Sequence, residues 1–272
     1  MPSLKNLDVG LRQELATLYL RDPLNHVYLF YSLTQEPEKC YILVNHEGDR
    51  LRGYILLRKA PRAIQAHVYG EVGDLLDKLR NARFRIRVAE DLESSILERL
   101  KSVGRVERVE KYLKMVVDSG NFKAFSPKRA IRLTGKHLEH FIELEESKGR
   151  HISASKALKV LEKWRYYGVF VSGKLVSVAC AFIMLPEIWV IGNVYTHPDF
   201  RGRGYAKIVT SAVTQDALNH GARVLLHVRQ DNEIAITVYR KIGYSVIGRE
   251  TWITFERNTT SRTRTQGGVE RV

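Results

Sequence analysis

The sequence predicts an α/β (α+β) fold, a mixed and twisted sheet flanked by helices, and three observations carry that expectation. Short runs rich in β-branched and aromatic residues alternate with segments of helical spacing along the whole chain. The order of these elements over residues 1–122 recurs, though their sequence does not, over residues 127–256. Within the second copy a strand runs through a proline turn into "RGRG" and straight on into a helix. With 272 residues, 44% of them hydrophobic, the chain is longer than one typical domain, and two domains are expected.

The first copy begins with "VGLRQELATLYL", where Leu11, Leu15 and Leu18 share a helical face. Three short strands follow in "CYILV", "LRGYILLR" and "AIQAHVYG". "EVGDLLDKLR" reads as a helix, "RFRIRVA" as a strand, "LESSILERLKSVG" as a helix ending at Gly104, and "RVERVEKYLKMVVD" as one long strand or two. A linker is expected at "DSGNFKAFSPKR", where Ser119-Gly120 and Pro127 supply turn chemistry. Beyond it come the strand "AIRL", the helices "GKHLEHFIELEES" and "SASKALKVLEKW", and the hairpin "YYGVFVSGKLVSVACAFIML" turning at Ser172-Gly173. The strand "IWVIGNVYT", the helix "GYAKIVTSAVTQDALNHG", the strand "RVLLHVRQ", the helix "NEIAITVYRKIGY" and the strand "SVIGRETWITFE" complete the copy. Residues 257–272 are polar and basic without an apolar period, and read as a disordered tail.

A formal charge of +14 raises nucleic acid as a partner, but its distribution argues otherwise. Residues 1–125 carry a net +4, 126–256 a net +7 and 257–272 a net +3, with no lysine/arginine block interleaved with aromatics. Some smaller anion suits this diffuse charge better than nucleic acid does. Cys40 and Cys180 lie far apart in apolar strands, outside any CxxC or Cys/His ligand spacing, so both read as reduced structural thiols and no metal is expected. The longest apolar run, Leu175–Leu185, is too short to cross a bilayer, and "MPSLKNLDVG" lacks a signal-peptide pattern, so a cytoplasmic protein is expected.

A glycine-rich turn between a strand and a helix presents unpaired N–H groups at the positive end of the helix dipole, which is a site for phosphate. Gly202 and Gly204 permit close approach of oxygen atoms, and Arg201 and Arg203 add charge, so the turn suits a pyrophosphate. The missing GxGxxG excludes a Rossmann dinucleotide site, and the missing GK[ST] excludes a P-loop. The spacing V-Y-T-x-P-x-x-R-G-x-G-x-A, followed by Asn232 and Tyr239 in "NEIAITVYRKIGY", resembles the GNAT superfamily of acyl-CoA N-acyltransferases over about residues 127–256. The first half resembles a degenerate copy of the same fold, a tandem layout shared with the glycine N-acyltransferase-like branch.

That resemblance implies that "IWVIGNVYT" and "RVLLHVRQ" splay apart around the pantetheine arm of acetyl-CoA, a co-substrate. The backbone of Val194, Tyr195 and Thr196 would pair with the arm. The N–H groups of Gly202, Arg203, Gly204, Tyr205, Ala206 and Lys207, beside Arg201, would hold the pyrophosphate. Asn232 would bind the arm from the other side, or would only cap its helix. Acyl transfer to an amine needs the amine neutral, the oxyanion held and the departing thiolate protonated. A backbone N–H near Val194 would serve the oxyanion, and Tyr239 holds the family's position for the thiolate's proton donor, against the alternative of a core aromatic.

The base is less defined. Histone-type members carry a glutamate where Trp189 stands here, whereas members acting on protein N-termini often carry an acid where His227 stands. His227, as a base or as a strand residue that merely fills space, remains open, as do Glu143, Glu145, Glu146 and His151 on the acceptor side. The expected activity is transfer of acetyl to a primary amine, with a small amine or amino acid ahead of a protein N-terminus or lysine. A non-catalytic acyl-CoA sensor is the alternative, and an RNA-associated module a third reading.

Overall fold

A computed structural model describes residues 3–48 and 50–257. Two helices open the chain, α1 (Val9–Arg21) and α2 (Pro23–Gln35), joined by a single residue. Asp22 serves both: its backbone N–H closes α1 on Leu18, and its carboxylate caps α2 at Asn25. The sequence reading lacks α2. Leu29 and Leu33 of this helix face one apolar cluster and Val27 another, so it carries no single apolar stripe; the Asp-Pro start was the available signal.

The three strands expected next are β1 (Cys40–Glu47), β2 (Arg50–Arg58) and β3 (Ile64–Gly70). The helix expected in "EVGDLLDKLR" is instead a six-residue 3-10 turn, Gly73–Lys78, with no side-chain cap. Strand β4 (Arg83–Ala89), helix α3 (Glu93–Val103) and the uninterrupted 14-residue strand β5 (Gly104–Val117) follow. The linker is packed down: the N–H of Lys123 donates to the carbonyl of Ile242 at 2.8 Å, and that of Phe125 to Ser211 Oγ at 2.8 Å.

The second half comprises β6 (Ile131–Arg132), α4 (Leu138–Glu146), α5 (Ala154–Lys163), β7 (Arg165–Val171), β8 (Lys174–Met184), β9 (Ile188–Thr196), α6 (Tyr205–Asn219), β10 (Arg223–Arg229), α7 (Glu233–Ile242) and β11 (Ser245–Arg257). Ser172 and Gly173 turn the β7–β8 hairpin with φ of 49° and 77°, the left-handed pair that matches strand twist. Arg257, first residue of the expected tail, ends β11; residues 258–272 lie outside the described residues.

Among the described residues the eleven strands form one sheet in the order β1-β2-β3-β4-β11-β5-β10-β9-β8-β7-β6. Among the described residues only β3/β4 and β9/β10 pair in parallel. The two halves interleave, because β11 lies between β4 and β5 while β5 lies between β11 and β10. The break near residues 123–126 is thus a break in sequence but not in the sheet. Strand alternation sends Val224, Leu226 and Val228 of β10 into the core under α6 and α7, and Leu225 into the core under α2. Helices α3, α6 and α7 cover one face, and α1, α2, α4 and α5 the other. Among the described residues no helix is long and apolar enough to cross a membrane.

Candidate active site

Strands β9 and β10 pair only at Ile188–Arg223, Trp189–Val224 and Val190–Leu225. Beyond that point β9 stays with β8 as far as Thr196, and β10 stays with β5 as far as Arg229. A gap therefore opens between two backbone edges whose polar groups have no ladder partner. At its mouth β9 carries a bulge: the pairing with β8 slips between Val178 and Cys180, and Asn193 takes a φ of 51°. The Asn193 side-chain amide donates to the Tyr166 hydroxyl at 3.2 Å, fixing the bulge and re-aiming the backbone at Val194. Gly192-Asn193 inside a strand was the sequence signal for it, and it went unread.

The turn after β9 has the expected form. Gly202 and Gly204 both sit at φ 78°, and Gly204 caps α6 without any side chain to satisfy the helix end. The first bond of the helix runs from Ile208 N–H to the Gly204 carbonyl, so the N–H groups before it are left without helical acceptors. A Cβ at Gly202 would meet nothing within 4 Å, which leaves room for a ligand against the backbone. Arg201 Nε donates to the Thr196 carbonyl at 3.3 Å, tying the turn to the strand, and the Lys207 ammonium lies 3.3 Å from the Phe125 ring centroid. Tyr205 and Ala206 form the first turn of α6. These groups together fit a pyrophosphate.

The remaining expected residues lie on β9 and on α7 with its N-cap. Thr196 ends β9 paired with Ser177. The Tyr195 side chain leaves the gap, its hydroxyl donating to the Ser147 carbonyl at 3.0 Å. Asn232 Oδ1 accepts from Ala235 N–H at 3.1 Å, so the capping role is realised while the residue stays exposed beside the gap. Tyr239 is 8% exposed, its hydroxyl makes no hydrogen bond among the described residues, and burial pushes its pKa up to about 12.

His227 sits on the other face of β10 from Tyr239. Its two ring nitrogens face one residue from each half of the chain: Nδ1 is 3.4 Å from the Tyr28 hydroxyl on α2, and Nε2 is 3.3 Å from Glu250 on β11. The Arg87 guanidinium, between the rings of Tyr28 (4.1 Å) and Trp252 (4.5 Å), places Nε 3.5 Å from the same Glu250 oxygen. Burial lowers the pKa of His227, partly offset by the Glu250 charge, so the ring is neutral near pH 7. Burial pushes Glu250 upward, but the charges of His227 and Arg87 outweigh it and hold the carboxyl well below its ordinary range. Tyr28, Arg87 and Glu250 escaped the sequence reading because α2, β4 and β11, far apart in sequence, bring them around His227 only in the folded sheet.

The other base candidates separate by burial. Glu145 is buried in an ion pair with Lys148, whereas Glu143 is exposed and Glu146 lies 3.8 Å from the exposed His151. Trp189 is buried under α6, on the opposite face from His227. Among the described residues no group of three or more His, Cys, Asp or Glu side chains is arranged to hold a metal ion.

Residues 166–253 match the family described as FR47-like protein. An acetyltransferase of Pectobacterium atrosepticum is 38% identical over 60 residues, covering 21% of this chain and 43% of that one. The chain spans about two fifths of the length of the curated relatives it matches. Among solved structures, a Drosophila protein superposes with a TM-score of 0.69 at 13% identity, covering 93% of this chain and 98% of its own. A putative acetyltransferase from the GNAT family of Novosphingobium aromaticivorans reaches 0.54 at 20% identity, over 71% of this chain and 84% of its own. A tandem GNAT protein from the clavulanic acid biosynthesis pathway also reaches 0.54, at 15% identity, over 86% of this chain and 89% of its own. At such identities these likenesses speak for the fold alone, which this chain shares with structures of the GNAT family.

Proposed function

We propose that the chain is an acyl-CoA-dependent N-acyltransferase that passes acetyl from acetyl-CoA to a primary amine, by direct attack with both substrates bound. A small amine or amino acid is favoured over a protein N-terminus or lysine. The observation that carries the reading is the divergence of β9 and β10 beside the Gly202–Lys207 turn, since free strand edges next to a cluster of N–H groups suit a pantetheine arm ending in pyrophosphate.

Acetyl-CoA supplies an activated thioester; the chain's own residues bind, orient and move protons. The N–H groups from Gly202 to Lys207, with Arg201 and Arg203, hold the pyrophosphate, while the backbone of Val194–Thr196 and the Asn232 side chain hold the arm from either side. The N–H near Val194, re-aimed by the Asn193 bulge, stabilises the oxyanion. Tyr239, kept protonated by burial, donates to the departing sulfur. His227, kept neutral by burial, takes the amine's surplus proton through the Tyr28 hydroxyl, and Glu250 backs the opposite ring nitrogen.

On this reading residues 127–256 form the acetyl-CoA domain and residues 1–122 a degenerate copy that supplies Tyr28 and Arg87 to it. The parallel pairs β3/β4 and β9/β10 support the tandem layout, as does the tandem GNAT likeness. The buried free thiols of Cys40 and Cys180 support a cytoplasmic setting. Incubation with labelled acetyl-CoA and a panel of amines, amino acids and peptides tests the proposal. Label on an acceptor supports it, whereas CoA binding without turnover on any class makes the chain an acyl-CoA sensor.

A further inference from the structure

The two copies differ most in the element joining their parallel strands. In the second, the 15-residue α6 joins β9 to β10 and packs across β7, β8 and β9. In the first, β3 and β4 are joined through the six-residue 3-10 turn Gly73–Lys78. The short turn, through Leu75 and Leu76, therefore covers less of this face than α6 covers in the other copy. A cavity of about 340 Å³ lies there, floored by Tyr41, Leu57, Ile64 and Phe84, one residue from each of β1 to β4.

Two cations stand at its rim. Lys59 and Arg80 are exposed, line the cavity, and have no acidic partner among the described residues. The Lys59 ammonium rests 5.3 Å from the Tyr41 ring centroid, at the edge of the apolar floor. We propose that this cavity binds an amphipathic monocarboxylate, its apolar body on Tyr41, Leu57, Ile64 and Phe84 and its carboxylate between Lys59 and Arg80. The volume is near the lower end for small-molecule pockets, roughly 300–1,000 Å³, which suits a compact ligand. Leu57 and Phe84 already lie buried at the base of the cavity, so the apolar area that an apolar body would cover belongs to Tyr41 and Ile64. Unpaired cations of both kinds, one a planar fork, call for a carboxylate at the open end.

The chain's own C-terminal segment is the wrong occupant. Arg257 is bonded to Ala82 and Leu76 beside the cavity, but residues 258–272 carry three arginines and one glutamate, the same sign as the rim. The cavity is also distinct from the acetyl-CoA gap, since β11 and β5 stand between β4 and β10.

Titration calorimetry of the full chain with octanoate, with and without CoA, tests the proposal. Octanoate is expected to bind equally in both conditions. 1-Octanol, which keeps the body without the charge, and acetate, which keeps the charge without the body, should each bind at least about tenfold more weakly. The double variant Lys59→Glu and Arg80→Glu reverses two exposed charges and should weaken octanoate about tenfold or more while keeping the wild-type melting temperature. Four results would each overturn the proposal: no octanoate binding at millimolar concentration, octanol binding as tightly, a double variant that binds octanoate normally, or displacement of octanoate by CoA.

Discussion

Burial decides what Tyr239 can do. A phenol whose pKa is pushed up to about 12 stays protonated near pH 7 and is able to donate. Phenylalanine would keep the ring in the core with Ile236, Ile242 and Tyr244. Tyr239→Phe is therefore expected to lower kcat roughly 10- to 100-fold with the KM for acetyl-CoA nearly unchanged, because a bond to sulfur strengthens only as thiolate charge develops. Steady-state kinetics check this; a matching rise in KM would reassign Tyr239 to binding. On the proposed mechanism His227 sets the pH dependence. Only its neutral form accepts a proton, and Glu250 is the neighbour that raises its pKa against burial. Glu250→Gln should thus move the ascending limb of kcat/KM to lower pH, while His227→Ala should remove that limb and cost on the order of 100-fold. NMR titration of His227 in the Gln variant separates the two ideas: an unmoved imidazole pKa sinks the Glu250 coupling, and a fully active His227→Ala sinks the base. Tyr239 and Asn232 are candidates from sequence alone because one local motif holds both. Glu250 is not, since its contact with His227 depends on strand insertion and no local pattern encodes that.

At the scale of elements, the strand–turn–helix unit around Gly202 was read correctly because glycine, arginine and helix spacing all pointed one way. Its proposed binding role can be isolated with a pair of nearly isosteric residues. Gly202→Asn and Gly202→Asp share whatever strain a φ of 78° imposes on a side chain, and differ in charge. Excess CoA should raise the melting temperature of the wild type and, less strongly, of the Asn variant, and should leave the Asp variant unshifted. Equal shifts for Asn and Asp would remove the phosphate from this turn. Helix α2 and the 3-10 turn at Gly73–Lys78 were misread for opposite reasons. The first is apolar on more than one side because two cores flank it, and the second has helix-like composition but no cap to start a helix.

The whole molecule is held by more than its shared sheet. Glu36, at the end of α2, has a side chain only 2% exposed and accepts from Arg58 of β2 at 2.7 Å and from Lys163 of α5 at 2.5 Å, with Lys39 3.4 Å away. One carboxylate thus clamps a helix of the second half to the first. Burial alone would raise its pKa, but hydrogen bonds from Arg58 and Lys163 win and hold it at about 2, against 4.5 in an exposed chain. A depressed carboxylate contributes stability that is fully present above its unfolded pKa and is lost as pH falls through its folded one. The charge is therefore worth roughly 3 kcal/mol at pH 7, and that contribution should fade between about pH 4.5 and 2. Glu36→Gln, which leaves two cations beside a neutral amide, should lower the melting temperature by about 5–10 °C at pH 7. The difference from wild type should shrink steadily below pH 4.5 in thermal unfolding followed by circular dichroism. A gap as wide at pH 3 as at pH 7 would mean that packing around residue 36, and not its charge, joins the two halves.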